Sequence, residues 1–258
     1  MFGWLLRLVA FGAIASVAGY AALASKSTDG AGEIPVTLEG DPNRGAYVAR
    51  MAGCIACHSD FENGGKPLAG GPALKTDFGT FVAPNITPDK ELGIGAWSLS
   101  DFAVALRHGV SPDGEPYYPA FPYPFYTRLT DQDIVDLWAA IWTVPPVARS
   151  APEHDLTFPF SIREGLKVWR AMYFEPGRFE PDPNRDESWN RGAYIVQGPG
   201  HCGACHTPRN LFGAREPSLR CMVPPDFPTA ANRLRSPGRR CGRTDGAGRI
   251  SRGRCAPG

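Results

Sequence analysis

The sequence predicts an all-α chain with two repeated helical domains, the second incomplete, behind an N-terminal hydrophobic helix. Three observations predict it. Asn43-Arg44-Gly45-Ala46-Tyr47-Val48 recurs as Asn190-Arg191-Gly192-Ala193-Tyr194-Ile195. Apolar residues recur at helical spacing between capping signals, and no alternating strand pattern flanks either copy. Leu8 to Ser25 runs without a charge.

That N-terminal run would span roughly 27 Å as a helix, just enough for a bilayer core. Residues 1–25 therefore read as a signal peptide or a membrane anchor. Ala22-Leu23-Ala24 resembles a cleavage site and favours the first; Trp4 and the length favour the second. Either route implies export. Lys26 to Gly40 then reads as a polar linker.

The repeat is offset by about 147 residues, too long for a solenoid period, so it marks a duplicated domain. Residues 41–147 form the first copy. Three helices are expected in it. The first runs from about Asn43 to Cys57. The second starts at Ser98, with Asp101 three residues on as an acidic capping box and Gly109 as its stop. The third starts at Thr130, with Ile134, Leu137, Trp138 and Ile141 forming one apolar stripe before Pro145-Pro146. Residues 59–97 form a long Gly/Pro-rich stretch, which suggests that something other than side chains fills the core. Residues 148–189 connect the copies, and Ser161 to Phe174 within them suggests an amphipathic covering helix. Residues 190–215 begin the second copy.

The whole chain has 258 residues, a net charge of +1 and seven cysteines. A balance so near zero excludes a dedicated nucleic-acid binder. The average hides a split. Residues 216–258 hold nine Arg, no Lys and three acids, a net of +6, which leaves −5 on the rest. Their large apolar residues are few and scattered, too few to bury a core. This basic tail is expected to be disordered. It reads as a shifted reading frame or truncated gene, or as a basic arm that docks an acidic partner. Cys221, Cys241 and Cys255 lie in it and are read as incidental thiols.

The remaining four cysteines carry the chemistry. They stand as Cys54-Ile55-Ala56-Cys57-His58 and Cys202-Gly203-Ala204-Cys205-His206. On a helix, residues three apart share a face. Two thiols so placed can add to the two vinyl groups of one porphyrin, and the adjacent imidazole can reach the iron. The pattern is that of haem c attachment. Cys54, Cys57, Cys202 and Cys205 are thus the covalent haem residues, and His58 and His206 the axial iron ligands. A zinc site would gather its cysteine pairs within one small module, and a dithiol redox motif would sit beside a βαβ unit; neither context is present.

Around these motifs the chain resembles the di- and tri-haem cytochrome c subunits that accept electrons from periplasmic alcohol, aldehyde and related dehydrogenases. The resemblance covers about residues 40–215. It rests on Ala83-Pro84-Asn85-Ile86-Thr87-Pro88-Asp89, Gly93-Ile94-Gly95-Ala96-Trp97, Tyr118-Pro119-Ala120-Phe121-Pro122-Tyr123 and Cys205-His206-Thr207-Pro208-Arg209-Asn210-Leu211. It implies class I cytochrome c domains, two haem c groups, and a membrane-associated electron carrier of the respiratory chain at the periplasmic face of the bacterial inner membrane. It also implies a dehydrogenase catalytic subunit and a downstream acceptor as partners. Such a subunit carries electrons and has no catalytic residue of its own.

The chain departs from that pattern in two places. Many relatives have Met at position 121, where its thioether is the sixth iron ligand; here the residue is Phe121. His108 and Met51 are the remaining candidates, and the alternative is a five-coordinate iron. An open iron would make the protein a dihaem redox enzyme, peroxidase-like or thiosulfate-oxidising. The second departure follows Ala214, where the pattern stops and no second or third helix is legible.

Overall fold

The computed structural model describes residues 32–35 and 37–215. The N-terminal hydrophobic segment and the 216–258 tail lie outside the described residues. Among the described residues, no helix is long and apolar enough to cross a membrane.

Helix α1 spans Pro42–Met51. Asp41 caps it, its carboxylate accepting from the amides of Asn43 and Arg44, and Pro42 sits at a position where a missing N–H is harmless. The expected single helix to Cys57 is broken. Gly53 at φ +72° turns the chain, and α2 restarts over Cys54–His58. Helix α3 spans Leu99–His108, with the Ser98–Asp101 capping box formed in both directions and Gly109 left-handed at its end. A short α4 covers Tyr123–Tyr126. Helix α5 spans Asp131–Ile141, capped by the Thr130 side chain. In the connector, α6 covers Gly165–Tyr173, and α7, Glu187–Gln197, carries the repeated hexapeptide.

The all-α expectation is overturned by a three-stranded antiparallel sheet. Strands β1, Ala73–Thr76, and β2, Gly79–Val82, form a hairpin within the stretch expected to be a loop. The connector adds β3, Asp155–Leu156, opposite Gly79 and Thr80. The physical reason is burial. β1 is exposed at every position and β2 half-buried at every position, so neither shows the alternation that marks a strand with one buried face.

Helices α1 and α5 cross at Gly45, where any side chain would strike the backbone of Asp136. The crossing is pinned by a buried carboxylate. Asp136 accepts from Arg44 Nε at 2.7 Å and Nη2 at 3.0 Å, and from the Asp41 amide at 2.7 Å. Val48, Ala52, Phe102, Leu106, Leu129, Ile134 and Leu137 fill the core beneath.

The second copy enters that same core. Tyr194 on α7 is 4% exposed, and its hydroxyl donates to Asp133 and receives the Thr130 amide. Its counterpart Tyr47 is 53% exposed. The same five residues, Asn-Arg-Gly-Ala-Tyr, therefore serve opposite packing roles in the two copies.

Candidate haem sites

The first motif occupies one turn. Cys54 and Cys57 open and nearly close α2, and both thiols are free. Burial pushes the Cys54 thiol up to about 12, and burial also raises Cys57. Both stay protonated at neutral pH. His58 ends the helix, with Nδ1 2.7 Å from the carbonyl oxygen of Pro84. A carbonyl only accepts, so Nδ1 carries the proton and the Nε2 lone pair is left for a metal. Burial lowers the imidazole pKa, against a smaller upward pull from the Pro84 bond, so the ring is neutral as a ligand must be.

The carbonyl is held from behind. Asn85 is buried, and its amide nitrogen donates to Val147 and Arg149 carbonyls at 2.7 and 3.1 Å. Its oxygen accepts from the Thr87 amide and hydroxyl at 2.9 and 2.8 Å. The Ala83–Thr87 run is thus a brace for His58. The motif alone does not reveal this brace, because Pro84 lies 26 residues from His58.

The second motif is a looser turn. Cys202–Ala204 is a 3₁₀ turn, and the His206 amide donates to Cys202 at 3.0 Å. Cys202 and Cys205 are free thiols. His206 is exposed, and among the described residues no hydrogen bond holds its ring. Arg209 fastens the following loop, donating to Ala204 and Gly213 carbonyls at 3.0 and 2.6 Å. The two cysteine pairs are not gathered into one metal cluster among the described residues.

The aromatic run before α5 divides its faces. Tyr126 hydrogen-bonds the Ala52 carbonyl beside the first motif, and Phe121 packs on Tyr126 and Tyr117 at 5.7 Å each. Tyr118 instead turns to Phe81 and donates to the Phe160 carbonyl. Tyr123 lies against Phe174, and Phe125 faces the second motif at Gly203. Of the candidate sixth ligands, His108 rests against Phe174, and Met51 is half-buried against the core.

No family model matches the chain. It is 45% identical over 190 residues to a diheme cytochrome c-type protein of Cereibacter sphaeroides, covering 72% of this chain and 64% of that protein. It is 42% identical over 219 residues to the gluconate 2-dehydrogenase cytochrome c subunit of Pantoea cypripedii, covering 81% and 48%. It is 46% identical over 172 residues to the fructose dehydrogenase cytochrome subunit of Gluconobacter japonicus, covering 66% and 35%. The chain belongs to the family of dehydrogenase cytochrome c subunits. It spans less than two-thirds of the length of each of these relatives.

The residues of this family member fit a covalently held haem best at the first motif. Two thiols share one helical turn, and a neutral imidazole is oriented by a carbonyl on its far nitrogen. The second motif offers the same donors with less support around His206.

Proposed function

We propose that the chain is a dihaem electron-transfer subunit. Cys54 and Cys57 hold one haem c with His58 as axial ligand; Cys202 and Cys205 hold a second with His206. Haem supplies a one-electron iron couple at each site. The chain's own part is to fix the imidazoles, exclude water and set the potentials. A dehydrogenase catalytic subunit delivers the electrons, and a downstream acceptor takes them toward the respiratory chain. The proposed place is the periplasmic face of the bacterial inner membrane, reached by the segment 1–25. Residues 41–147 act as one complete domain, and residues 190–215 as the opening of a second.

The observation that carries this reading is the 2.7 Å pairing of His58 Nδ1 with Pro84 O, which prepares the ring for iron. Haem staining after denaturing electrophoresis tests it. The matured protein should retain two haems per chain, and Cys54→Ala should lose stable attachment at the first site. Undiminished haem in that variant would sink the assignment.

Phe121 supports a second reading, since its ring offers the iron no ligand. The first haem would then be an open, substrate-binding centre of a dihaem redox enzyme. Cyanide added to the resting ferric protein separates the two. An unperturbed first-haem spectrum excludes the open centre.

A further inference from the structure

His201 and Gly53 bring the two attachment segments together. Gly53 directly precedes Cys54, and His201 directly precedes Cys202. The His201 Nε2 atom lies 3.5 Å from where a Cβ on Gly53 would stand. Glycine's missing side chain therefore leaves the imidazole facing bare backbone. Gly53 takes φ +72°, which glycine adopts freely. His201 takes φ +37°, a conformation that a side-chain-bearing residue keeps only when its surroundings hold it there.

Those surroundings are well defined. His201 Nδ1 lies 2.7 Å from the Gly200 carbonyl oxygen. Its ring stacks on Tyr126 at 6.0 Å and 26°, and Phe125 meets it edge-on at 6.3 Å. Tyr126 also hydrogen-bonds Ala52, one residue before Gly53. A Cβ on Gly203 would stand 3.3 Å from the Phe125 ring. Phe125 and Tyr126 thus clamp residues 52–53 and 201–203 against each other, with the His201 ring at the seam.

We propose that His201 is the bridge for electron exchange between the two attachment sites. The inference rests on the dihaem reading above. The path runs from Cys54 along the Gly53 backbone, across the space a Cβ on Gly53 would occupy to the imidazole, and through the backbone to Cys202. With both haems bound, each event would move one electron, one iron being oxidised as the other is reduced, with no proton transferred. The imidazole is a positioning group that fills the gap and is not an iron ligand.

The test uses the full chain matured with both haems, beside His201→Ala and His201→Leu. Three quantities are read: haem per chain, the two midpoint potentials, and the rate of inter-site equilibration after rapid photoreduction. The alanine variant should keep two haems and both potentials while equilibration slows roughly tenfold, because a void replaces the ring. Leucine, which refills part of the gap, should slow it less. Native rates in variants that retain two haems overturn the bridge. Loss of the second haem in both variants also overturns it and leaves His201 a structural role. A single haem in the unsubstituted protein sinks the dihaem reading itself, and is visible before any variant is made.

Discussion

Gly45 and Gly192 hold the same place in the repeated hexapeptide, yet another helix crosses only Gly45. A Cβ on Gly45 would strike the Asp136 backbone, whereas nothing lies within 4 Å of one on Gly192. The neighbouring arginines differ in parallel. Arg44 forks onto Asp136, and Arg191 lies over the Tyr194 ring. The substitutions should therefore have opposite signs. Gly45→Ala should cost about 1–3 kcal/mol, as an overpacked crossing does. Gly192→Ala should gain roughly 0.5–1 kcal/mol from helix preference alone. Urea unfolding of the two variants checks this, and a loss at Gly192 equal to that at Gly45 would show that a helix covers both.

Acid should weaken the fold through two carboxylates. Burial pulls Asp136 upward, but bonds from Arg44, the Asp41 amide and Gln132 outweigh it and hold the group below the usual carboxylate range. Asp131 is held down in the same way, its burial outweighed by Arg107 and Arg178. A folded pKa below the unfolded one gives stability that is fully present above about pH 4 and lost as pH falls through the folded value. Urea midpoints should be flat from neutral pH down to about 5 and drop below about 4. Asp136→Asn should lower the midpoint at neutral pH and flatten the acid drop. An unchanged acid slope in that variant would remove Asp136 from the account.

Phe121→Met tests the first haem's sixth position. Phe121 packs on Tyr126, whose hydroxyl reaches the backbone just before Cys54. A thioether there should ligate the iron and raise its potential, since a Met/His pair favours the reduced state. A redox titration should show one potential rising and the other fixed. If both stay fixed, position 121 does not face the iron.

What the sequence reveals here is local. Ser98, Asp101 and Gly109 mark α3 because caps act within one turn, and the cysteine spacing marks each motif because it also acts within one turn. The sheet is hidden because β1 buries nothing and β3 has only two residues, so no alternation could form. Tyr47 and Tyr194 show the same limit from the other side: one hexapeptide, one exposed ring and one buried ring. The pairing of His58 with Pro84 and the approach of His201 to the side-chain space of Gly53 join residues far apart in sequence. No spacing rule encodes them.

Asn85 links the brace to the chemistry, so its removal should be felt twice. Asn85→Ala leaves the Val147 and Arg149 carbonyls and the Thr87 amide without this partner. Stranding one buried and two half-buried groups should cost about 2–4 kcal/mol. The second effect passes through Pro84, the residue before Asn85, whose carbonyl holds His58 Nδ1. A loosened carbonyl makes the imidazole a poorer donor to iron, because a ligand histidine gains basicity from the acceptor on its other nitrogen. A poorer donor stabilises the ferric state less, so the first haem's potential should rise while the second's stays fixed. Thermal unfolding reads the first effect and a redox titration the second. A variant that melts early but keeps both potentials would make Asn85 a brace for the loop alone, with no hold on the His58 ring.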